Sequence, residues 1–355
     1  MKRVSLRRGA AAAGVAWLGL GCGLGGVPRA ELPEDPIAIS YRTPEEARRR
    51  ADDYQDGRQP GEARRTTARP PRAGYADLVA SEENVSEFLD RLFGRGPEDE
   101  RRHQGRLALL NPRTGQVEVL AAARRGSVPV VWSPDRQRLL FAQPDGDGFQ
   151  IFEYDRGERT VRQVTHGPLS HTQGCYGPDG RIVVAVVDAR SSPLRTYIAI
   201  SGTGGRRPFR PLTDGPSDHS PACQPGLDRL VFVREIEPPR AEIFVTDLDP
   251  DAGEPPRRLS PGRHPSFTSD GVWVAFAAPF QKESRLWRMR ADGTGRSPIG
   301  RGVRHESRPA VSPDGTLVVY VAAETQPRRH LYVRRFDGSG DRILFADGDA
   351  EFPVW

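Results

Sequence analysis

Five near-equal steps along the chain constrain its fold more than any other feature. An apolar residue precedes a Pro-Asp-Gly-like turn at Trp132 (Ser133-Pro134-Asp135), Tyr176 (Gly177-Pro178-Asp179-Gly180), Cys223 (Gln224-Pro225-Gly226), Phe267 (Thr268-Ser269-Asp270-Gly271) and Val311 (Ser312-Pro313-Asp314-Gly315). These anchors are 44, 47, 44 and 44 residues apart, and a further step of 44 lands on Trp355. Four of the six carry Pro two positions earlier, at Pro221, Pro265, Pro309 and Pro353. Pro presets a negative φ and Gly accepts a positive one, so each turn is a reversal between strands.

Between anchors the order is constant. A second strand follows each turn (Arg138 to Ala142, Ile182 to Val187, Leu230 to Val233, Val272 to Ala277, Thr316 to Val321). A third strand comes next (Gln150 to Tyr154, Thr196 to Ile200, Glu242 to Thr246, Arg285 to Met289, His330 to Arg334), then a turn and a fourth. Four strands per 40-odd residues define a propeller blade. The fold expected is all-β, a six-bladed β-propeller of four-stranded blades over residues 104–355. The run Trp-Ser-Pro-Asp, Leu-Leu-Phe-Ala, Asp-Gly, Ile-Phe-Glu-Tyr-Asp, Gln-Val-Thr resembles the TolB-type (WD-like) propeller repeat. That resemblance implies a binding protein, though propellers of this type also serve protease lids and polysaccharide lyases.

The sixth blade is expected to form from both chain ends, because an open ring would leave apolar faces and strand edges in water. Arg106 to Leu110 and Gln116 to Leu120 read as its third and fourth strands and Glu351 to Trp355 as its inner strand. One strand is left unassigned, with Tyr75 to Ala80 as a candidate.

Residues 1–22 read as an export signal: Lys2, Arg3, Arg7 and Arg8, then an apolar run from Ala10 to Leu20, too short for the roughly 20 residues a bilayer span needs. Leu18-Gly19-Leu20-Gly21-Cys22 resembles the lipobox of bacterial lipoproteins, which implies lipid attachment at Cys22 in the periplasm. Gly23 after the cysteine favours the outer membrane. The four basic signal residues supply most of the net charge of +5, so nucleic acid is not expected as a partner. Residues 23–103, rich in Arg, Glu, Pro and Gly, read as a mostly disordered, flexible tether. Two short helices are expected in it. Thr43-Pro44-Glu45-Glu46 opens one that runs to Tyr54, and Ser81 to Phe93 forms the other.

His171, His219, His264 and His305 all fall just ahead of an inner strand, joined by Asp218, Glu306 and Glu351. In a propeller such loops ring one mouth of the central channel. They form a candidate partner-binding rim, or a metal-assisted site resembling that of oligogalacturonate-lyase propellers, or simply a solvated edge. The four histidines stand at different offsets from their anchors, so no bound metal, cofactor or catalytic residue is expected. Asp145-Gly146-Asp147-Gly148 reads as a hairpin turn rather than a calcium loop. Cys175 and Cys223 fall on adjacent inner strands. They are expected as buried free thiols, with a disulfide permitted in an oxidising compartment.

The expected function is therefore that of a periplasmic, lipid-tethered, monomeric scaffold that holds an envelope protein or peptide at the channel mouth. The alternatives are a metal-assisted polysaccharide lyase or hydrolase using the rim histidines and a purely structural envelope protein.

Overall fold

The computed structural model describes residues 26–55 and 105–355, apart from 147, 189, 192–193, 238–239, 282, 303–304 and 324–329. Six four-stranded antiparallel sheets follow one another around a common channel. In blade 1 the strands Val128–Trp132, Arg138–Asp145, Gly148–Asp155 and Thr160–Gln163 run from the channel outward. The inner strands of blades 2 to 5 are Ser170–Tyr176, Asp218–Cys223, Arg263–Phe267 and His305–Val311. Each holds the anchor that the repeat marked.

The turn after each inner strand explains the Ser-Pro-Asp-Gly signature. In blade 5 the Ser312 hydroxyl donates to Asp314 (2.5 Å) and accepts the Leu317 N–H (2.9 Å), while Asp314 accepts the Thr316 N–H (3.1 Å). Ser133 with Asp135 and Thr268 with Asp270 repeat the arrangement. These side chains satisfy backbone donors that the reversal would otherwise leave without partners.

Blades bury their faces only against their neighbours. One apolar cluster fills each of the six interfaces, for example Leu140, Ile151 and Val184 between blades 1 and 2 and Ala275, Leu286, Val318 and Tyr320 between blades 4 and 5. Cys175 and Cys223 are disulfide-bonded across the inner strands of blades 2 and 3, with Cα atoms 5.6 Å apart. The expected free thiols are thereby corrected. Inner strands are where adjacent blades come closest, and Cys175, one residue before its anchor, faces the anchor Cys223 there.

Blade 6 closes the ring, and its order is Asp349–Val354, Ile37–Arg42, Arg106–Leu110, Val117–Val119. The unassigned strand is Ile37–Arg42, from the stretch read as tether. It pairs with Arg106–Leu110 on one side (Ile37 opposite Leu110) and with Asp349–Val354 on the other (Arg42 opposite Asp349). Tyr75 to Ala80 and the helix expected over Ser81 to Phe93 lie outside the described residues, as do the signal segment and Cys22. Ahead of the strand, Val27 and Leu32 are buried in the cluster between blades 5 and 6. Further ties are Arg113 donating to the Leu32 carbonyl (2.5 Å) and the Trp355 indole N–H donating to the Asp35 carbonyl (3.2 Å). The expected helix forms as Pro44–Gln55, its capping box closed by Glu46 accepting from the Thr43 N–H (2.9 Å) and Thr43 Oγ1 accepting from the Glu46 N–H (3.3 Å).

Deleting residues 26–42 removes a strand that is paired on both edges. The product is expected to elute from a sizing column as aggregate, whereas the intact chain elutes as a single species. Mass spectrometry after denaturing alkylation is expected to find Cys175 and Cys223 unlabelled before reduction and both labelled after it. Because the bond closes a separation of 48 residues, reduction should cost about 4 kcal/mol on the chain-entropy account, read as a lower urea midpoint.

Candidate functional site

The antiparallel order gives the disc two distinct faces. Hairpins joining first to second and third to fourth strands lie on one, here the turn face. Links between second and third strands and between blades lie on the other, the mouth face. The helix Pro44–Gln55 follows a second strand and so sits on the mouth face, where Glu46 pairs with Arg106 (2.5 Å) and with Arg125 (2.9 Å) of the link into blade 1.

A cavity of about 130 Å³ lies in the channel, lined from all six inner strands. The residue three before each anchor contributes to it: Pro129, Gln173, Ser220, His264, Arg308 and Phe352. The inner strands bulge here, with register breaks between His219 and Ala222, Arg263 and Ser266, and Ser307 and Ala310. Ser220, His264, Arg308 and Phe352 have φ of 50°, 53°, 52° and 54°. Each directly precedes one of the recurring prolines. A left-handed conformation costs a non-glycine residue of order 1–3 kcal/mol, and its repetition in four blades shows that it belongs to the design of the waist. The bulge turns these side chains toward the axis.

The ring is internally connected. Gln173 Oε1 accepts the Ser220 N–H (2.7 Å), and the Arg308 guanidinium lies 3.9 Å from the Phe352 ring centroid. His264 Nδ1 is buried without a hydrogen-bond partner. Burial, and after it the charges of Arg308, Arg263 and His219, holds this imidazole well below its ordinary pKa, so it is neutral at pH 7.

The rim residues expected from the sequence do not converge. His171 is buried in the blade 1–2 interface, its Nδ1 3.0 Å from Gln150 Oε1, and burial pushes its pKa down to about 4. His219 lies between Ser220 Oγ (2.9 Å) and Glu235 Oε1 (3.1 Å). Arg263 grips the same Glu235 carboxylate at Oε2 (2.7 Å). Burial pushes Glu235 up, but hydrogen bonds from His219 and Arg263 outweigh it and hold the carboxyl below its usual range. His264 lines the waist, and His305 is exposed, 3.7 Å from Glu283. Among the described residues no three His, Cys, Asp or Glu side chains are grouped as metal ligands.

Asp218, Glu306 and Glu351, expected on the rim, are buried behind it. Asp218 takes Arg234 in a two-pronged pair (2.6 and 2.8 Å), Glu306 takes Arg334 (2.7 Å) and Glu351 takes Arg42 (3.0 Å). Each acid stands near the start of an inner strand and each arginine on the second or third strand of the same blade. A carboxylate there is retained because the paired charge and hydrogen bonds offset its desolvation. These three residues brace the blades and do not present themselves to a ligand. Sequence reasoning missed Gln173, Ser220, Arg308 and Phe352. For the last three the signal was the position directly before a marked proline, whereas Gln173 precedes Gly174.

With this geometry in hand, the chain can be set beside known proteins. In architecture it is similar to TolB from Acinetobacter baumannii (17% identity, 91% of this chain and 68% of that one, TM-score 0.61) and to a putative TolB from Agrobacterium tumefaciens (21%, 69% and 88%, TM-score 0.55). The fold is a TolB-like six-bladed propeller. In sequence it is 23% identical over 266 residues to an uncharacterised protein of Agrobacterium fabrum, covering 70% of this chain and 87% of that protein. It is 21% identical over 213 residues to the Tol-Pal system protein TolB of Francisella tularensis, covering 58% of this chain and 48% of that protein. The chain thus spans about half the length of those TolB relatives. No family profile matches it.

The buried histidines set a pH dependence. His171 and His264 both titrate lower folded than unfolded, so the native state binds fewer protons once pH falls below the unfolded value near 6.5. Stability is therefore expected to decline from pH 6.5 toward 4 by up to about 1.4 kcal/mol per pH unit for each group. In thermal melts over this range His171→Gln should show a shallower decline than the unsubstituted protein.

Proposed function

We propose that this protein is a non-enzymatic binding protein of the bacterial periplasm, tethered through a lipid on Cys22, that holds a protein or peptide partner at the mouth face of its channel. The observation that carries the reading is the waist. Four inner strands accept left-handed backbone to aim Ser220, His264, Arg308 and Phe352 inward. Strain maintained at equivalent positions of a ring marks a recognition surface rather than a packing accident.

The size of the cavity narrows the ligand. At about 130 Å³ it is smaller than the roughly 300–1,000 Å³ of ordinary small-molecule pockets, so it accepts a side chain or a chain end presented by a larger body. Chemistry on a bound sugar would need the rim histidines to act together, and the buried His171 and the exposed His305 stand apart from His219 and His264. The likeness to TolB supports the periplasmic setting and the partner class, because those relatives are named as Tol-Pal system proteins. Among the described residues no helix is long and apolar enough to cross a membrane.

Affinity capture from envelope extracts tests the reading. Gln173→Trp and Ser220→Trp narrow the waist and are expected to lose the captured partner by tenfold or more. Arg159→Ala, on the outer rim, should retain it. An unchanged partner with a plugged waist would overturn the proposal.

A further inference from the structure

Blade 4 and the link that follows it are rich in positive charge. Residues 262–304 contain eight Lys or Arg against three Asp or Glu. Several outer arginines on other blades are ion-paired, as Arg210 is with Asp251 (2.6 Å), Arg181 with Asp228 and Arg159 with Glu118. Arg288, Arg290 and Arg296 instead rest on aromatic rings. Arg288 and Arg290 lie 5.4 and 5.2 Å from the Trp273 ring centroid, Arg288 also lies 5.5 Å from Phe336, and Arg296 lies 4.4 Å from Trp287. The nearest acid on that turn, Asp292, is engaged by the N–H and hydroxyl of Thr294 (2.8 and 2.7 Å). Beside Trp273, Val272 is 41% exposed. Guanidinium groups backed by aromatic rings, with an apolar tip alongside, form a surface suited to the boundary between charged headgroups and acyl chains.

The position of the patch gives it a partner. The N-terminal strap meets the propeller at the outer turn of blade 5, where the Val27 N–H donates to the Gly340 carbonyl (2.8 Å), Arg342 donates to the Val27 carbonyl (3.0 Å) and Glu31 pairs with Arg335 (2.6 Å). The same turn touches the patch, since Arg288 donates to the Phe336 carbonyl (2.9 Å) and Gly338 packs directly on Gly300 of blade 4. Only four residues separate Cys22 from Val27. Fully extended, the five steps between them reach about 17 Å, so a lipid on Cys22 would hold this edge of the disc against the bilayer.

We infer that the turn-face edge of blades 4 and 5, centred on Trp273, Arg288, Arg290 and Arg296, is a docking surface for anionic phospholipid headgroups. The inference extends the lipid-tether reading and fixes the orientation of the disc. Guanidinium groups donate to phosphate oxygens in pairs, and Arg290 and Arg296 are the exposed members of this set. The patch lies on the turn face and the channel mouth opens on the other, so contact with the bilayer leaves the mouth free for a partner.

Flotation with phospholipid vesicles tests this surface apart from the anchor. The chain starting at Gly23, which holds every described element but no lipid site, is expected to float with phosphatidylglycerol vesicles at least tenfold better than with phosphatidylcholine, and less as salt rises. Arg288→Glu/Arg290→Glu/Arg296→Glu should abolish the preference while leaving the thermal midpoint unchanged, and Arg159→Glu/Arg210→Glu should retain it. No preference for the anionic vesicles, an equal preference in the triple variant, or binding to an acidic polysaccharide or nucleic acid in place of vesicles would overturn the inference. Mass spectrometry of the Cys22 peptide from the full chain reads the anchor separately. Flotation of the Gly23 chain, together with an unmodified Cys22 in the full chain, would sink the tether and keep the surface.

Discussion

Each blade of this ring hides its hydrophobic faces only against the two beside it, so the structure depends on the one place where the circle must be fastened without a peptide bond. That place is the strand Ile37–Arg42, which reaches the C-terminal strand on one edge and Arg106–Leu110 on the other. Without it Asp349–Val354 would carry a bare edge on the side away from the channel, and Ile39, Leu110 and Val319 would lose their shared interior. Closure covers that edge and leaves each blade only its short inner and outer ones. It also recruits the buried Arg42–Glu351 pair, whose partners are 309 residues apart in sequence. A short strand near one terminus thereby holds the sixth blade to the register of the other five.

The same closure fixes the functional waist. Phe352, one of the four left-handed residues, belongs to the C-terminal strand, and it receives Arg308 from the adjacent blade. Were the last strand free, the ring of inward side chains would be open between blades 5 and 1. The buried acid–arginine pairs perform a related task in blades 3 and 5, tying each inner strand to its own sheet just beside the bulge. Strain at Ser220 and Arg308 is thus held by fully formed charge pairs a few residues away, as strained backbone requires if it is to persist.

How much of this was legible in the sequence follows from which interactions are local. The 44-residue period was, because five anchors sit beside a turn that closes within five residues, three of them through a Ser or Thr with an Asp. The helix at Pro44 was, because Thr43 and Glu46 cap it by themselves. The closing strand was not: Ile37 to Arg42 is six residues inside a charged, proline-rich stretch, and its partners begin at Arg106 and Asp349. Asp218, Glu306 and Glu351 were misplaced because an acid beside a loop reads as solvated. The arginines that bury them come from other strands. At the waist the prolines could be seen, yet the residues before them differ in every blade, and only their shared backbone conformation makes them equivalent.

The arrangement of charge bears on how such a protein works. Acids are spent internally, three of them as buried partners of arginine, while blade 4 keeps guanidinium groups stacked on Trp273 and Trp287. Stacking lowers the cost of holding a cation without a carboxylate. The strap reaches the disc beside this same edge, through Val27 at the blade 5 turn. Attachment and charge therefore act on one side of the molecule. A partner held on the opposite, mouth face would meet a surface whose orientation is set by the edge behind it.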